Sequence, residues 1–208
     1  MASFTPFEDS SKRRIVSPEF LRLRWQVKDG PLSQAIQVLE DATNSASAQQ
    51  PYQSESGVVH DVARASLCSP PISSITVMVD ILNGLNEEKF DEALEEEDDH
   101  DYDDDDGEWK GPTMTVKPSG EGFVTVGDYV NAVHPWLMSL REDYLREYAM
   151  LHGEDEPLPS DTEVWLVPMR IDMLSFLDSE TEEPPFTDIW NMVAKFAYNT
   201  IHKKESQD

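Results

Sequence analysis

Five histidines, one cysteine and a dense run of carboxylates are the side chains of this chain best suited to chemistry. His134 precedes Pro135 and Trp136. A general base needs a carboxylate or nucleophile positioned within hydrogen-bond reach, and none stands at a recognisable spacing from it. The expected role is a histidine at a helix break, half buried by Trp136. His60 and Asp61 adjoin, but neighbouring side chains point apart in most conformations, so they do not read as a dyad. His60, His100, His134 and His152 lack the His-x3-His or Cys-x2-Cys spacing that sets zinc ligands on one face. Cys68 lies in a Ser/Pro segment with no adjacent His, Lys or Arg to lower its pKa. As the only cysteine, it excludes an intrachain disulfide and a cysteine-only metal site within one chain. Phosphate-cradling glycine loops and nucleophile elbows are absent.

The carboxylates are concentrated between Glu87 and Glu108, where fifteen acidic residues and one lysine fill twenty-two positions, including Asp103-Asp104-Asp105-Asp106. Asp101, Asp103 and Asp105 alternate as calcium-loop ligands do. The glycine that such a loop needs at its sixth position is replaced by Asp106, and Gly107 comes one residue late. Loose ion condensation is the expectation, with no cofactor and no specific metal. Of the chain's formal −26 this stretch supplies −14, leaving −12 on the rest. Charges at that density repel one another and have little to bury, so a solvated, disordered loop is expected. The acidic balance argues against nucleic acid and anionic membranes and towards a basic protein partner.

Positioning falls to the apolar-patterned segments on either side. Residues 1–19 read as a flexible arm containing Pro6 and Pro18. Leu21, Leu23, Trp25 and Val27 alternate with Arg22, Arg24, Gln26 and Lys28, a strand with one buried and one wet face. Pro31 opens an expected helix carrying Ala35, Ile36 and Leu39. Residues 43–57 read as a polar linker. Ile72–Ile81 is rich in β-branched residues and is expected as a strand, as is Thr113–Lys117. Thr125 and Asp128 have the form of a capping box. From there Val126, Val130, Val133, Leu137, Leu140, Tyr144 and Tyr148 step by three and four as a helical stripe, with a kink or break expected at Pro135. Glu163–Arg170 reads as a strand and Ile171–Leu177 as a short irregular helix. Thr187 is the expected cap of a last helix whose buried stripe is Ile189, Trp190, Val193, Phe196, Ala197 and Ile201.

The resulting expectation is α+β, with a small mixed or antiparallel sheet and two to four packed helices. One domain spans 20–202, interrupted by the 43–57 linker and an acidic disordered loop at 86–108, and residues 203–208 form a tail. The longest apolar run, near Val77-Met78-Val79, is far too short to span a membrane. With no secretory pattern at Met1–Asp9 and no Asn-x-Ser/Thr site, an intracellular location, cytoplasmic or nuclear, is expected.

Several segments in this order resemble a domain of unknown function from mushroom-forming fungi. They are the Trp25 strand, Ser69-Pro-Pro-Ile-Ser-Ser-Ile-Thr76, Trp109-Lys-Gly-Pro-Thr-Met-Thr-Val-Lys-Pro118, Val124-Thr-Val-Gly-Asp-Tyr-Val130 and Arg170-Ile-Asp-Met-Leu174. The resemblance covers roughly residues 20–178 and implies a fungal intracellular protein with a compact α+β domain, with no catalytic residues to carry over. The acidic insertion before Thr113 and the Trp190 helix depart from the family pattern.

Three functions are compatible with these features. The first is a protein–protein interaction module, with Asp103, Asp104, Asp105, Asp106 and Trp136 as candidate partner contacts. Trp136 also belongs with Tyr144, Tyr148, Trp165, Trp190 and Phe196 to the aromatic residues on apolar stripes, which favours the core. The others are a small enzyme or small-molecule binder whose site comes from distant residues, and an acidic nuclear chaperone of basic proteins.

Overall fold

In the computed structural model, which describes residues 4–9, 14–83, 111–120, 122–178 and 186–205, the alternating segment after Phe20 forms a strand as its period requires. β1 (Ile15–Val16) and a one-turn helix α1 (Pro18–Leu21), capped by the Ser17 hydroxyl, lead into β2 (Leu23–Gln26). After Pro31 the chain makes only a single turn, α2 (Leu32–Ala35), and passes straight into β3 (Ile36–Leu39). The expected longer helix is replaced by a strand because Ile36 and Val38 find partners across the sheet, Trp25 and Leu23. β4 (Gln49–Pro51) adds an edge strand inside the stretch expected as a linker, and Tyr52 beyond it is buried.

β5 (Cys68–Ser69) pairs with β1. The β-branched segment forms β6 (Ile75–Val79), which pairs antiparallel with β7 (Thr113–Val116). The long helix α3 (Val126–Leu151) starts at the expected capping box, with Thr125 and Asp128 bonded in both directions, and Gly153 at φ +77° follows its end. It runs through Pro135 without a break. Asn131, whose carbonyl loses its intrahelical donor there, is exposed, as is Pro135, while Val130, Val133, His134 and Leu137 are buried. Packing on both sides of the proline outweighs one hydrogen bond on the wet face.

β8 (Val164–Leu166) follows. Residues 171–177, expected as an irregular helix, instead contribute β9 (Met173–Leu174) and the start of β10 (Phe176–Asp178). This segment passes from one sheet to another, and each gives its backbone a partner: Leu174 pairs with Val79 and Phe176 with Leu166. The last helix, α4 (Phe186–Glu205), begins one residue ahead of the expected cap and takes in the start of the expected tail.

The fold is α+β. An antiparallel sheet has the order β10-β8-β2-β3-β4, a second sheet the order β7-β6-β9 with β6 and β9 parallel, and β1-β5 forms a ribbon. The main core lies where α3 meets the sheets, around Trp25, Ile36, Val77, Tyr129, Val133 and Leu166. A smaller cluster of Leu21, Ala42 and Ala197 sits where α4 packs on α1. Part of the expected flexible arm belongs to the domain: Phe7 N–H donates to Ser74 O at 2.8 Å, and Thr5 bridges to Ile72. No helix among the described residues is long and apolar enough to cross a membrane. The acidic loop lies outside the described residues.

Candidate functional site

His134 is committed to the core. It is 7 % exposed, and its Nδ1 accepts the indole N–H of Trp25 at 3.0 Å. That bond fixes the neutral tautomer with its proton on Nε2. Burial holds the imidazole below its usual pKa, and the more distant Asp29 only partly offsets this. A base that gained a proton at Nδ1 would lose the Trp25 bond, so His134 serves packing. The ring that His134 meets is that of Trp25 on β2, in place of the expected Trp136. Trp136 is half-buried against the same core, and its backbone carbonyl accepts from the Ser139 hydroxyl.

The other candidates are also accounted for locally. His60 Nδ1 accepts from Val62 N–H at the start of a short 3-10 turn, away from any pairing with Asp61. The Cys68 thiol is buried and pushed up to about 11 by burial, which Arg14 only partly opposes, so it stays protonated. Asp103, Asp104, Asp105 and Asp106 lie outside the described residues, but both ends of the loop that carries them are placed.

Those ends meet. β6 and β7 are adjacent antiparallel strands with Met78 opposite Thr113. After β6 the chain makes one 3-10 turn, Ile81–Asn83, and Asn83 is buried with its side-chain N–H donating to Val79 O at 2.7 Å. Gly111 lies directly against this turn. A Cβ there would collide with Asn83 Oδ1 and stand 2.7 Å from the Leu82 carbonyl oxygen. Only a glycine allows that approach. The acidic segment is therefore an insertion into a β-hairpin whose neck is closed by Asn83 and Gly111. The turn at the neck packs on α3, the helix that carries Trp136.

A second feature was not anticipated from the sequence. β2 has no wet face: all four of its residues are buried, and on the side that carries Arg24 and Gln26 it is Trp190 of α4 that lies over Arg24. The guanidinium of Arg24 lies 4.1 Å from the Trp190 ring centroid, and Trp190 meets Trp165 edge-on with centroids 6.3 Å apart. Arg24 is 4 % exposed, and neither of its terminal nitrogens has a hydrogen-bond partner among the described residues. Burial lowers its pKa to about 10, so it remains a cation at neutral pH. Ser45 Oγ, donating to Asn191 Oδ1 at 2.6 Å, ties the β3–β4 connection to the same helix. The signal available in sequence was Trp190 on a helix stripe and Arg24 on a strand, with nothing to say that they meet.

No protein-family model, curated protein or solved structure matches the chain. The functional reading therefore rests on this geometry and on the charge distribution.

Proposed function

We propose that the protein is a protein–protein interaction module in which a compact α+β domain carries the acidic insertion as a steering element for a basic partner. The observation behind this reading is the closed neck at Asn83 and Gly111. β6 and β7 are paired up to Met78 and Thr113, so the segment of net −14 is inserted between two chain ends that already lie together. Charge displayed in this way acts over a Debye length, about 8 Å at physiological ionic strength. Its effect falls on the rate of encounter far more than on the lifetime of the complex. On the domain itself, the half-buried Trp136 of α3 is the side chain we would expect to join such a contact. The same reading keeps the protein inside the cell, in cytoplasm or nucleus, in line with its resemblance to the fungal domain.

A pull-down from native extract tests it, comparing the full chain with a chain lacking residues 87–108 at low and high salt. The reading expects a basic protein to be recovered at low salt, in larger amount with the insertion than without it. It also expects high salt to remove that difference. The same recovery with and without the insertion at low salt would contradict it.

A further inference from the structure

A cleft of about 410 Å³ opens between the N-terminal segment, the turn before β9 and the C-terminal half of α4. That volume is in the range of small-ligand sites. One wall is apolar, formed by Ile15, Val16 and Phe196, and the other carries two guanidinium groups, Arg14 and Arg170, with Asp172 between strand and turn. In a chain of net −26 the charged lining of this cleft sums to +1, two arginines less one aspartate.

Each arginine is held in place by part of its donor set. Arg14 Nη2 donates to Thr5 Oγ1 at 2.5 Å and to Pro6 O at 3.0 Å, while its Nε is buried with no hydrogen-bond partner among the described residues. Arg170 donates through Nη2 at 2.7 Å and Nε at 3.3 Å to the two oxygens of Asp172. That pairing raises its pKa, against burial. The remaining terminal nitrogen, Nη1, of each has no hydrogen-bond partner among the described residues. Two oriented donors beside an apolar wall suit a group with one negative charge and planar oxygens attached to a hydrocarbon body. A single charge balances the lining. A doubly charged phosphate would leave an excess negative charge in an already acidic protein.

We propose that this cleft binds a monocarboxylate with an aryl or branched alkyl body, its oxygens on Arg14 and Arg170 and its apolar part on Val16 and Phe196. The carboxylate can come from a free organic acid or from the C-terminus of a peptide ending in an apolar residue. This inference stands independently of the interaction reading, since the acidic insertion plays no part in it.

An amide NMR titration of the full chain tests the proposal. The probes are 4-phenylbutyrate, the peptide Ala-Ala-Phe with a free carboxylate, the same peptide amidated, and inorganic phosphate. Saturable shifts are expected at Val16, Arg170 and Asn199 with a dissociation constant of about 1 mM or tighter for at least one of the two carboxylates. The amidated peptide and phosphate should leave these signals unmoved. Binding of the free peptide alone would assign the site to C-termini, and binding of 4-phenylbutyrate alone would assign it to small acids. Arg170→Gln should weaken binding about tenfold with the thermal melt little changed, because Arg170 is exposed and a surface ion pair of this kind contributes little. Arg170→Lys, which keeps the charge and loses the fork, should fall between. No saturable shift with either carboxylate, an equal response to phosphate, or unchanged affinity in a folded Arg170→Gln protein would overturn the proposal.

Discussion

The two faces of the five-stranded sheet are built on different principles. Against α3, Leu23, Trp25, Ile36, Val38, Val164 and Leu166 form a buried apolar layer. The histidine buried in it, His134, is neutral and hydrogen-bonded to Trp25. On the other face the strands present Arg24, Gln26, Gln37 and Trp165, and Trp190 of α4 lies against Arg24 and Trp165. The first face is sealed: Trp25 and His134 satisfy each other there, and the buried Tyr52 hydroxyl has no hydrogen-bond partner among the described residues. The second holds a buried cation whose terminal nitrogens have no hydrogen-bond partner among the described residues, and α4 goes on from there to form a wall of the cleft at Arg14 and Arg170.

The largest effect should come from the sealed face. Trp25→Ala removes a side chain 1 % exposed that meets His134 and Tyr129, and it leaves His134 Nδ1 without its donor. A loss of about 4 kcal/mol is expected in denaturant unfolding. A loss under about 1 kcal/mol, the level of surface substitutions, would show that this layer is not the main core. Next is the neck that packs on α3. Gly111→Ala puts a methyl group against Asn83 and the Leu82 carbonyl and should cost about 2 kcal/mol by overpacking. Gly120, where a Cβ meets nothing within 4 Å, supplies the control.

The α4 face should respond with the opposite sign. Arg24→Met keeps the length of the side chain and removes a buried charge whose terminal nitrogens have no hydrogen-bond partner among the described residues. Relief of desolvation outweighs the lost cation–π contact, so the variant should be more stable by about 1 kcal/mol. A clear destabilisation would mean that the charge is structurally required, and the contrast between the faces would fail. The smallest effect is the pH response of His134. Its folded pKa lies below the ordinary value near 6.5, so above about pH 6.5 both states are neutral and the residue adds no pH dependence. Below that the unfolded chain binds the proton more readily, and stability contributed by neutral His134 is lost as pH falls. His134→Gln, which retains an acceptor for Trp25, should gain stability relative to the parent between about pH 7 and pH 5 in paired melts. Parallel curves would contradict the assignment.

What was legible in the sequence follows the same division. The α3 stripe, its Thr125–Asp128 cap, β6 and β7 could be read because their local patterns agree with the packing that they meet. β3 and the 171–178 strands could not, since a neighbouring strand decides their conformation and the neighbour is distant in sequence. The wet face assigned to β2 failed for a related reason: Arg24 alternates as an exposed residue should, and a helix more than 160 residues later covers it. The neck at Gly111 was equally hidden, because Asn83-Gly84 looks like an ordinary turn and Gly111 looks like part of a loop. The cleft joins residues 7–16, 169–172 and 196–200, which no spacing rule connects.

The central functional claim is that a self-sufficient domain carries its acidic insertion for encounter, and association kinetics address it most directly. The basic partner recovered from extract would be mixed with the full chain, with the chain lacking 87–108, and with Asp103 to Asp106 changed to Asn, over a range of salt. At low salt the account predicts association about tenfold slower for the deletion and an intermediate rate for the Asn variant. The rates should converge at high salt, with dissociation rates and thermal unfolding unchanged throughout. Equal association rates for all three at low salt, or loss of cooperative unfolding on deletion, would contradict it.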